Sequence, residues 1–344
     1  MDIAFVYSVG RPVTFLNKTF EMQDNGGSEG SMIRYALEFA KLGHTVTIFT
    51  PKGKYDTVGG VKWRPLEDAT KTYDVAIALR FPNDLFTFPA RVKALYCCDP
   101  EIPNLSSCVG KGQIDVAIVI SKFQQTQFQL YHPIKRDRYL LSNAGVVYDD
   151  YQRQAEKVPG RFIYCSTPAR GLLDLSGIWP MIKERVPDAT LHVTGSFALW
   201  GLPTDTPPAV GLLGDQDGVT YLGCVSRSRL IQEQLESQAM LLPGSPSSPE
   251  MCCMAAMECA AAGNALVVTD VAALKERVTP NKTGYVIKRG VGWRREFAEA
   301  AIDLIQSPVL SEFQEAARKG ERKHNYPHLA KMWLRRLQEE LGDA

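Results

Sequence analysis

The sequence predicts an α/β protein of two Rossmann-like domains, each a doubly wound parallel sheet, and three observations lead to this fold. The chain has 344 residues, which is too long for one ordinary core and suits two domains of common size. Short apolar runs of strand length alternate with longer stretches of helical periodicity, as in parallel sheets with crossover helices. This alternation restarts after a polar segment that ends in Pro159-Gly160. We therefore expect two domains that face a cleft at the carboxyl ends of their strands.

The first domain is predicted at residues 1–150. Its clearest helix is 31–42, where apolar residues from Met32 to Phe39 recur at helical spacing and Gly43 supplies the end. The remaining elements are short apolar runs of strand length. They predict strands at 3–7, 45–50, 75–79, 93–97 and 116–120.

The second domain is predicted at residues 151–325, after a linker and hinge at 148–160. Residues 326–344 are expected to form a separate amphipathic helix around Trp333, with many basic residues, which can pack back on the first domain. The second domain repeats the strand and helix scheme of the first. Its predicted strands are 162–165, 190–194, 219–222, 239–242 and 265–269.

Composition and charge exclude several classes of protein. Lys and Arg (39) nearly balance Asp and Glu (38), and the net charge of +1 argues against a dedicated, highly basic nucleic-acid binder. The 8 cysteines show no zinc-site spacing and indicate reduced, buried thiols, as in a cytoplasmic protein. The N-terminal apolar run is too short for a signal peptide, and no later run approaches the roughly 20 residues of a membrane span. We therefore expect a cytoplasmic protein with no transmembrane segment.

The strongest local signal is the segment 247–263. Ser248 before Pro249 is typical of a helix start, and Gly263 follows the last apolar residue. The N–H groups of such a start, together with the helix dipole, suit a diphosphate. We expect the first turn to bind phosphate through the backbone of Glu250, Met251, Cys252, Cys253 and Met254.

Glu250 and Glu258 are the candidate charged groups of this predicted helix. Eight positions of helix would place them about 12 Å apart along the axis and close to one face. A nucleotide sugar curled over the helix end could be held at both extremities. The alternative is that Glu250 only complements the dipole and Glu258 is a salt-bridge partner. Against this alternative, Glu258 lies among Ala, Met and Cys residues, where burying an unpaired carboxylate is costly.

This spacing, followed by Ala260-Ala261-Ala262-Gly263, resembles the E-x7-E donor-site motif of retaining glycosyltransferase family four, whose members have the GT-B fold. The resemblance implies that Glu250 contacts sugar hydroxyls near the reacting carbon and that Glu258 holds the ribose. Further similarity extends along nearly the whole chain. It is carried by Gly26-Gly27-Ser28-Glu29, Leu42-Gly43-His44, Ser142-Asn143-Ala144-Gly145-Val146, Arg170-Gly171-Leu172 and Tyr221-Leu222-Gly223.

The glycine pair Gly26-Gly27 follows the first strand and precedes a helix, so its amides can approach phosphate or sugar, although an ordinary flexible loop fits as well. The spacing is not G-x-G-x-x-G, which disfavours a nicotinamide-dependent oxidoreductase. Arg170 opens a helical segment after the first strand of the second domain. The family usually has Lys there, and the resemblance implies a diphosphate contact. A solvated loop arginine is the alternative.

Two positions depart from the family pattern. Where relatives carry a basic residue shortly before the Arg170 position, this chain has Tyr164-Cys165-Ser166, so the phosphate clamp is weaker or is completed by another residue. Where relatives often present a His, the chain has Asp99 after a first-domain strand. Asp99 could contact the acceptor or the donor sugar, and a loop-capping role is the alternative.

The resemblance implies a retaining hexosyltransferase that moves glucose or N-acetylglucosamine from a UDP-sugar to a hydroxyl of a glycan, lipid or small molecule. The resemblance implies no tightly bound cofactor and no metal. The catalytic residues would be Glu250, Arg170 and Asp99, and the donor-binding residues would include Gly26, Gly27 and Glu258.

Other functions stay open. Several basic pairs would suit hydroxymethylated DNA, as in viral DNA glucosyltransferases that modify 5-hydroxymethylcytosine. These pairs are Lys288-Arg289, Arg294-Arg295, Arg318-Lys319, Arg322-Lys323 and Arg335-Arg336, and solvated helix faces are the alternative. An epimerase or hydrolase on the same fold, and a non-catalytic sugar-binding module, are further alternatives. Peripheral membrane contact has weak support, because the first domain shows only the cluster Lys135-Arg136-Asp137-Arg138.

Overall fold

The computed structural model describes residues 1–8, 27–51, 56–132, 134–153, 155–196, 211 and 213–343. The chain divides into two compact units, the first formed by Met1–Gly145 with His324–Ala344 and the second by Val146–Lys323. The predicted domain boundaries lie a few residues further along the chain than these. Among the described residues, no helix is long and apolar enough to cross a membrane.

The first unit contains an eight-stranded sheet. Its strands are β1 (Asp2–Val6), β2 (Thr45–Phe49), β3 (Thr57–Val58), β4 (Val61–Arg64), β5 (Tyr73–Leu79), β6 (Ala90–Cys97), β7 (Val116–Val119) and β8 (Tyr139–Leu141). The order is β3-β4-β2-β1-β5-β6-β7-β8, and all pairs are parallel except β3 with β4. The central strands are buried almost throughout, as expected of a parallel sheet covered on both faces.

The helices α1 (Gly27–Lys41), α2 (Leu105–Gly110) and α3 (Lys122–Tyr131) also belong to the first unit. The α1 helix buries Met32, Tyr35, Ala36 and Phe39, which are residues of the predicted helical pattern. The helix begins four residues before the predicted start, because its polar first turn shows no apolar periodicity.

The second unit contains a six-stranded parallel sheet in the order β11-β10-β9-β12-β13-β14. Its strands are β9 (Arg161–Cys165), β10 (Thr190–Thr194), β11 (Val219–Gly223), β12 (Ala239–Leu242), β13 (Ala265–Thr269) and β14 (Gly284–Ile287). Its helices are α4 (Leu172–Arg185), α5 (Arg227–Glu236), α6 (Met254–Ala261), α7 (Trp293–Ile305) and α8 (Leu310–Glu321). The core of this unit forms around β9, β12 and β13 and includes the fully buried Trp179.

The last helix, α9 (Tyr326–Asp343), is part of the first unit although it follows the second in the chain. The indole of Trp333 is fully buried and stacks on Tyr35 of α1, with ring centroids 3.9 Å apart. Its Nε1–H donates to Ser142 Oγ at 2.8 Å. The amphipathic pattern around Trp333 is therefore the face with which α9 packs against the sheet-covering helix α1.

The segment 148–160, predicted as a linker and hinge, lies within the second unit. Tyr151 in this segment is fully buried, and its hydroxyl donates to Gln234 Oε1 at 2.9 Å. One buried anchoring residue in a polar run is not visible as a pattern, because the other described residues of the run are exposed or only partly buried.

Candidate functional site

The carboxyl edge of the six-stranded sheet contains a topological switch point. From β9 the chain passes to β10 and β11 on one side and then returns to β12 on the other. The connections that leave the neighbouring strands β9 and β12 therefore lead toward opposite ends of the sheet, and such switch points are the usual ligand sites of open parallel sheets. Arg170 follows β9 and Glu250 follows β12, so both predicted residues come from these two loops.

Arg170 and Glu250 meet at this edge. The guanidinium Nη1 lies 2.6 Å from Glu250 Oε1, and the Glu250 side chain is only 8% exposed. Burial raises the pKa of the Glu250 carboxyl, and the raise is partly offset by Arg170 and by hydrogen bonds from Cys253 and Ser166. The edge therefore holds a desolvated carboxylate against a cation, an arrangement that favours polar ligands such as sugar hydroxyls and phosphates.

The two loops are closely packed on each other. Gly171, which immediately follows Arg170, has φ +98, and a Cβ at this position would lie 2.7 Å from the carbonyl oxygen of Gly244. Only glycine fits such a backbone and such an approach. Thr167 lies in the same loop as Arg170, and its buried Oγ1 has no hydrogen-bond partner among the described residues.

The predicted helix start at Pro249 is wrong. The helix α6 begins at Met254, and Ser248 N–H instead donates to Ser245 O in a turn. Cys253 precedes the helix with φ 61, a left-handed conformation that L residues other than Asn and Asp seldom adopt. Glu250 lies outside the helix, where its carbonyl accepts from Ala273 N–H at 3.0 Å.

Because α6 begins at Met254, fewer of the predicted backbone groups lie in its first turn. Of the predicted backbone donors, only Met254 belongs to α6. The side chains of Met251, Cys252 and Cys253 are buried in the segment before it. The Ser-Pro signal failed because the contacts of Glu250 with Arg170 and Ala273, which are distant in sequence, determine the backbone here.

Glu258 lies on α6, and its Oε1 is 2.7 Å from Nη1 of Arg227. The salt-bridge alternative considered for Glu258 is thus realised in the structure, with a partner that is itself only 21% exposed. Arg227 also donates to Tyr151 Oη at 3.0 Å. Arg227 and Tyr151 are not among the predicted site residues, because nothing in their surroundings in the sequence marks them and their partners are distant in the chain.

The first unit has a second switch point, between β1 and β5. Arg80 directly follows β5 and has φ 70. Its Nη1 lies 3.2 Å from Glu29 Oε1, and its Nε lies 3.4 Å from Asp99 Oδ2. Tyr7, directly after β1, donates to Glu29 Oε1 at 3.1 Å. The structure therefore places Asp99 in a polar cluster at the carboxyl edge of the eight-stranded sheet.

The charged groups of this cluster shift one another's pKa values. Burial raises the pKa of Asp99, with Arg80 opposing and Glu29 adding to the shift. Burial disfavours the charged Arg80, but Glu29 and Asp99 outweigh it and raise the pKa of the guanidinium. Arg80 is not among the predicted site residues, because its only signal in the sequence is its place directly after a buried strand. Gly27 is the first residue of α1, and the predicted Gly26 lies outside the described residues.

One family model matches part of the second unit. Residues 159–307 match a family model described as glycosyl transferases group 1. A search of curated protein sequences finds no match.

Solved glycosyltransferases share the fold. A sucrose-phosphate synthase from Thermosynechococcus elongatus is 14% identical with a TM-score of 0.75, and a glycosyltransferase from Rickettsia africae is 16% identical with a TM-score of 0.77; each comparison covers 100% of both chains. WaaG, a glycosyltransferase of lipopolysaccharide biosynthesis, is 14% identical over 96% of this chain and 98% of its own, with a TM-score of 0.68. The predicted two-domain GT-B fold is confirmed by these likenesses and by the two parallel-dominated sheets.

Proposed function

We propose that this chain, whose residues 159–307 match the family model described as glycosyl transferases group 1, transfers a sugar from a nucleoside diphosphate sugar to an acceptor hydroxyl with retention of configuration. The observation that carries the proposal is the meeting of Arg170 and Glu250 at the switch point of the second unit, 2.6 Å apart. The donor would bind to this unit.

The diphosphate of the donor is assigned to Arg170 and its loop. A guanidinium is a planar fork of five donors that can bind a carboxylate and a phosphate oxygen together. The hydroxyl of Thr167, buried in the same loop, offers a further donor. Thr167 would complete the phosphate clamp in place of the basic residue that the family pattern has at the positions of Tyr164-Cys165-Ser166. The dipole of α6, whose first residue is Met254, adds a favourable field for the anion.

Glu250 would contact hydroxyls of the transferred sugar, and Glu258 the ribose. In the transfer, the bond between the anomeric carbon and the phosphate oxygen breaks while the acceptor oxygen bonds to the same carbon and the same face. The acceptor proton passes to the leaving phosphate oxygen. Stabilisation of the leaving diphosphate by Arg170 is then the main electrostatic contribution, and it requires no metal.

UDP-glucose or UDP-N-acetylglucosamine is the proposed donor, and the acceptor is a hydroxyl of a glycan, lipid or small molecule that binds at the Asp99 cluster of the first unit. The DNA alternative has less support than its basic pairs suggested. Arg289 and Arg294 both bind Asp174, and Arg336 pairs with Glu340, so these cations are engaged locally.

The test compares Glu250→Gln and Glu258→Gln with the control Glu236→Gln. Glu236 also pairs with an arginine, Arg161, at 2.6 Å, but Arg161 begins β9 and so lies at the opposite, amino edge of the sheet. We expect Glu250→Gln to remove most transfer while the fold persists. Glu258→Gln should weaken donor binding by about 1.5–3 kcal/mol, the value of a charged hydrogen bond.

The measurement is nucleotide release with an acceptor panel, followed by the anomeric configuration of the product. If the kinetics are unchanged in both site variants, or are changed equally by Glu236→Gln, the assignment of Glu250 and Glu258 to the donor site is wrong. A product of inverted configuration would remove the retaining mechanism alone.

A further inference from the structure

Arg227 and Glu258 form an ion pair that neither helix would place there for its own stability. Arg227 is the first residue of α5, and Glu258 lies in the last turn of α6. A cation at a helix N-terminus and an acid near a C-terminus each oppose the helix dipole. Departures from local preference of this kind gather at functional sites. A functional role would therefore explain why this ion pair is present.

A buried hydrogen-bond chain fixes the orientation of Arg227. Its Nη2 donates to Tyr151 Oη at 3.0 Å, and this hydroxyl donates to Gln234 Oε1 at 2.9 Å. Tyr151 and Gln234 are both fully buried. Burial disfavours the charged form of Arg227, but Glu258 and Tyr151 outweigh it and raise the pKa of the guanidinium. Arg227 is thus a charged group held in one orientation.

The same contact fixes Glu258 and leaves half of its carboxylate available. Arg227 Nη1 binds Oε1 at 2.7 Å, and Oε2 receives no hydrogen bond within the described part of the chain. The Glu258 side chain is 12% exposed, so it reaches solvent at one face. A carboxylate with one oxygen fixed and the other accessible is suited to accept a hydrogen bond from a ligand hydroxyl.

We propose that Arg227 is a positioning residue that holds Glu258 so that Oε2 accepts a hydrogen bond from a ribose hydroxyl of the donor nucleotide. Arg227 thereby sets the preference of the site for ribonucleotides over deoxyribonucleotides. This inference rests on the proposed function, in which Glu258 contacts the ribose.

The experiment measures dissociation constants of UDP, GDP and ADP, and of their 2′-deoxy and 3′-deoxy forms, by calorimetry on the full chain. The unaltered protein should prefer one ribonucleotide over one of its deoxy forms by about tenfold or more, as a hydrogen bond to a charged group predicts. Arg227→Met should reduce this preference to below about threefold, by weakening the ribonucleotide and not the deoxy form. Arg227→Lys, which keeps the charge without the fork, should fall between the two.

The control is Arg161→Met, which breaks the Arg161–Glu236 pair in the same unit, a pair of similar length whose arginine is similarly buried. It should cost comparable stability and leave the preference unchanged. An equal loss of preference in Arg161→Met would show that the preference reports general destabilisation and would overturn the proposal. If Arg227→Met does not fold, the proposal is tested with Arg227→Lys and Tyr151→Phe instead. An unchanged preference for the ribonucleotide in both of these variants overturns the proposal.

Glu258→Gln separates this proposal from the function on which it rests. If Glu258→Gln lowers the ribose preference and Arg227→Met does not, Arg227 has no positioning role while the donor site stands. If Glu258→Gln keeps the preference, or no nucleotide of the series binds, the role of Glu258 in the proposed function fails, and that of Arg227 with it.

Discussion

Replacement of Arg170 by Met should destabilise the protein through the buried carboxylate that it leaves behind. Removing one partner of a buried ion pair costs about 3–5 kcal/mol, because the other charge stays desolvated. Glu250 is 8% exposed, but Arg170 is 26% exposed, and Glu250 keeps its hydrogen bonds from Cys253 and Ser166. We therefore expect a loss near the lower end, about 3 kcal/mol. The double variant Arg170→Met with Glu250→Gln should recover about 1–2 kcal/mol of it, as coupled neighbours do.

The pH dependence gives this prediction a second readout. Burial already raises the pKa of Glu250 above its ordinary value, and loss of Arg170 raises it further. Between the unfolded and folded pKa values the folded state binds more protons, so stability falls as pH rises. The deficit of Arg170→Met should accordingly be larger at pH 8 than at pH 5. The assay is urea unfolding followed by circular dichroism, with the slope m compared among variants. A loss below about 1 kcal/mol, the value of an exposed pair, or a deficit equal at both pH values would refute the reasoning.

Three further predictions concern stability at other positions. Burial lowers the pKa of Lys157 to about 7, so above that pH the unfolded state binds more protons than the folded state. The free energy of unfolding should therefore rise by up to about 1.4 kcal/mol per pH unit from pH 7 to 9. Lys157→Met should lose this pH dependence in urea unfolding, and a variant that keeps it would contradict the assignment. Gly171→Ala should lower the unfolding midpoint, because the backbone strain costs about 1–3 kcal/mol. The control is Gly177→Ala, where a Cβ would meet open space, and it should stabilise the protein by about 0.4–1 kcal/mol. Equal effects of the two substitutions would show that a Cβ is tolerated at Gly171. Trp333→Ala removes a fully buried indole and should cost about 3–5 kcal/mol in calorimetric or urea unfolding, and a loss under about 1 kcal/mol would mean that α9 is not packed on α1 in solution.

The strands of the second unit show how much of the fold is readable from sequence. The predictions 190–194, 239–242 and 265–269 agree with β10, β12 and β13 to the residue. Strands buried on both faces are continuous apolar runs with clear ends, so pattern alone locates them. The strands missed are β3, β4, β8 and β14, which are short or only partly buried and carry no such run.

The residues of the candidate site could be predicted from the sequence, but their geometry could not. Glu250, Glu258 and Arg170 stand out by spacing and family resemblance, whereas the start of α6 and the partners Arg227 and Arg80 do not. Those features are decided by contacts between residues that are far apart in the chain. Local helix signals such as Ser248-Pro249 are weak beside a buried ion pair formed at a distance.

The most direct test of the donor site is a thermal-shift panel of nucleotide sugars on the unaltered protein, Glu250→Gln and Glu258→Gln, with Glu236→Gln as the control. One donor should raise the melting temperature, since a ligand at 100 times its dissociation constant stabilises by about 2.7 kcal/mol. The rise should be much smaller in both site variants and intact in the control. No rise with any nucleotide sugar, or an equal rise in all four proteins, would contradict a donor site built on Glu250 and Glu258.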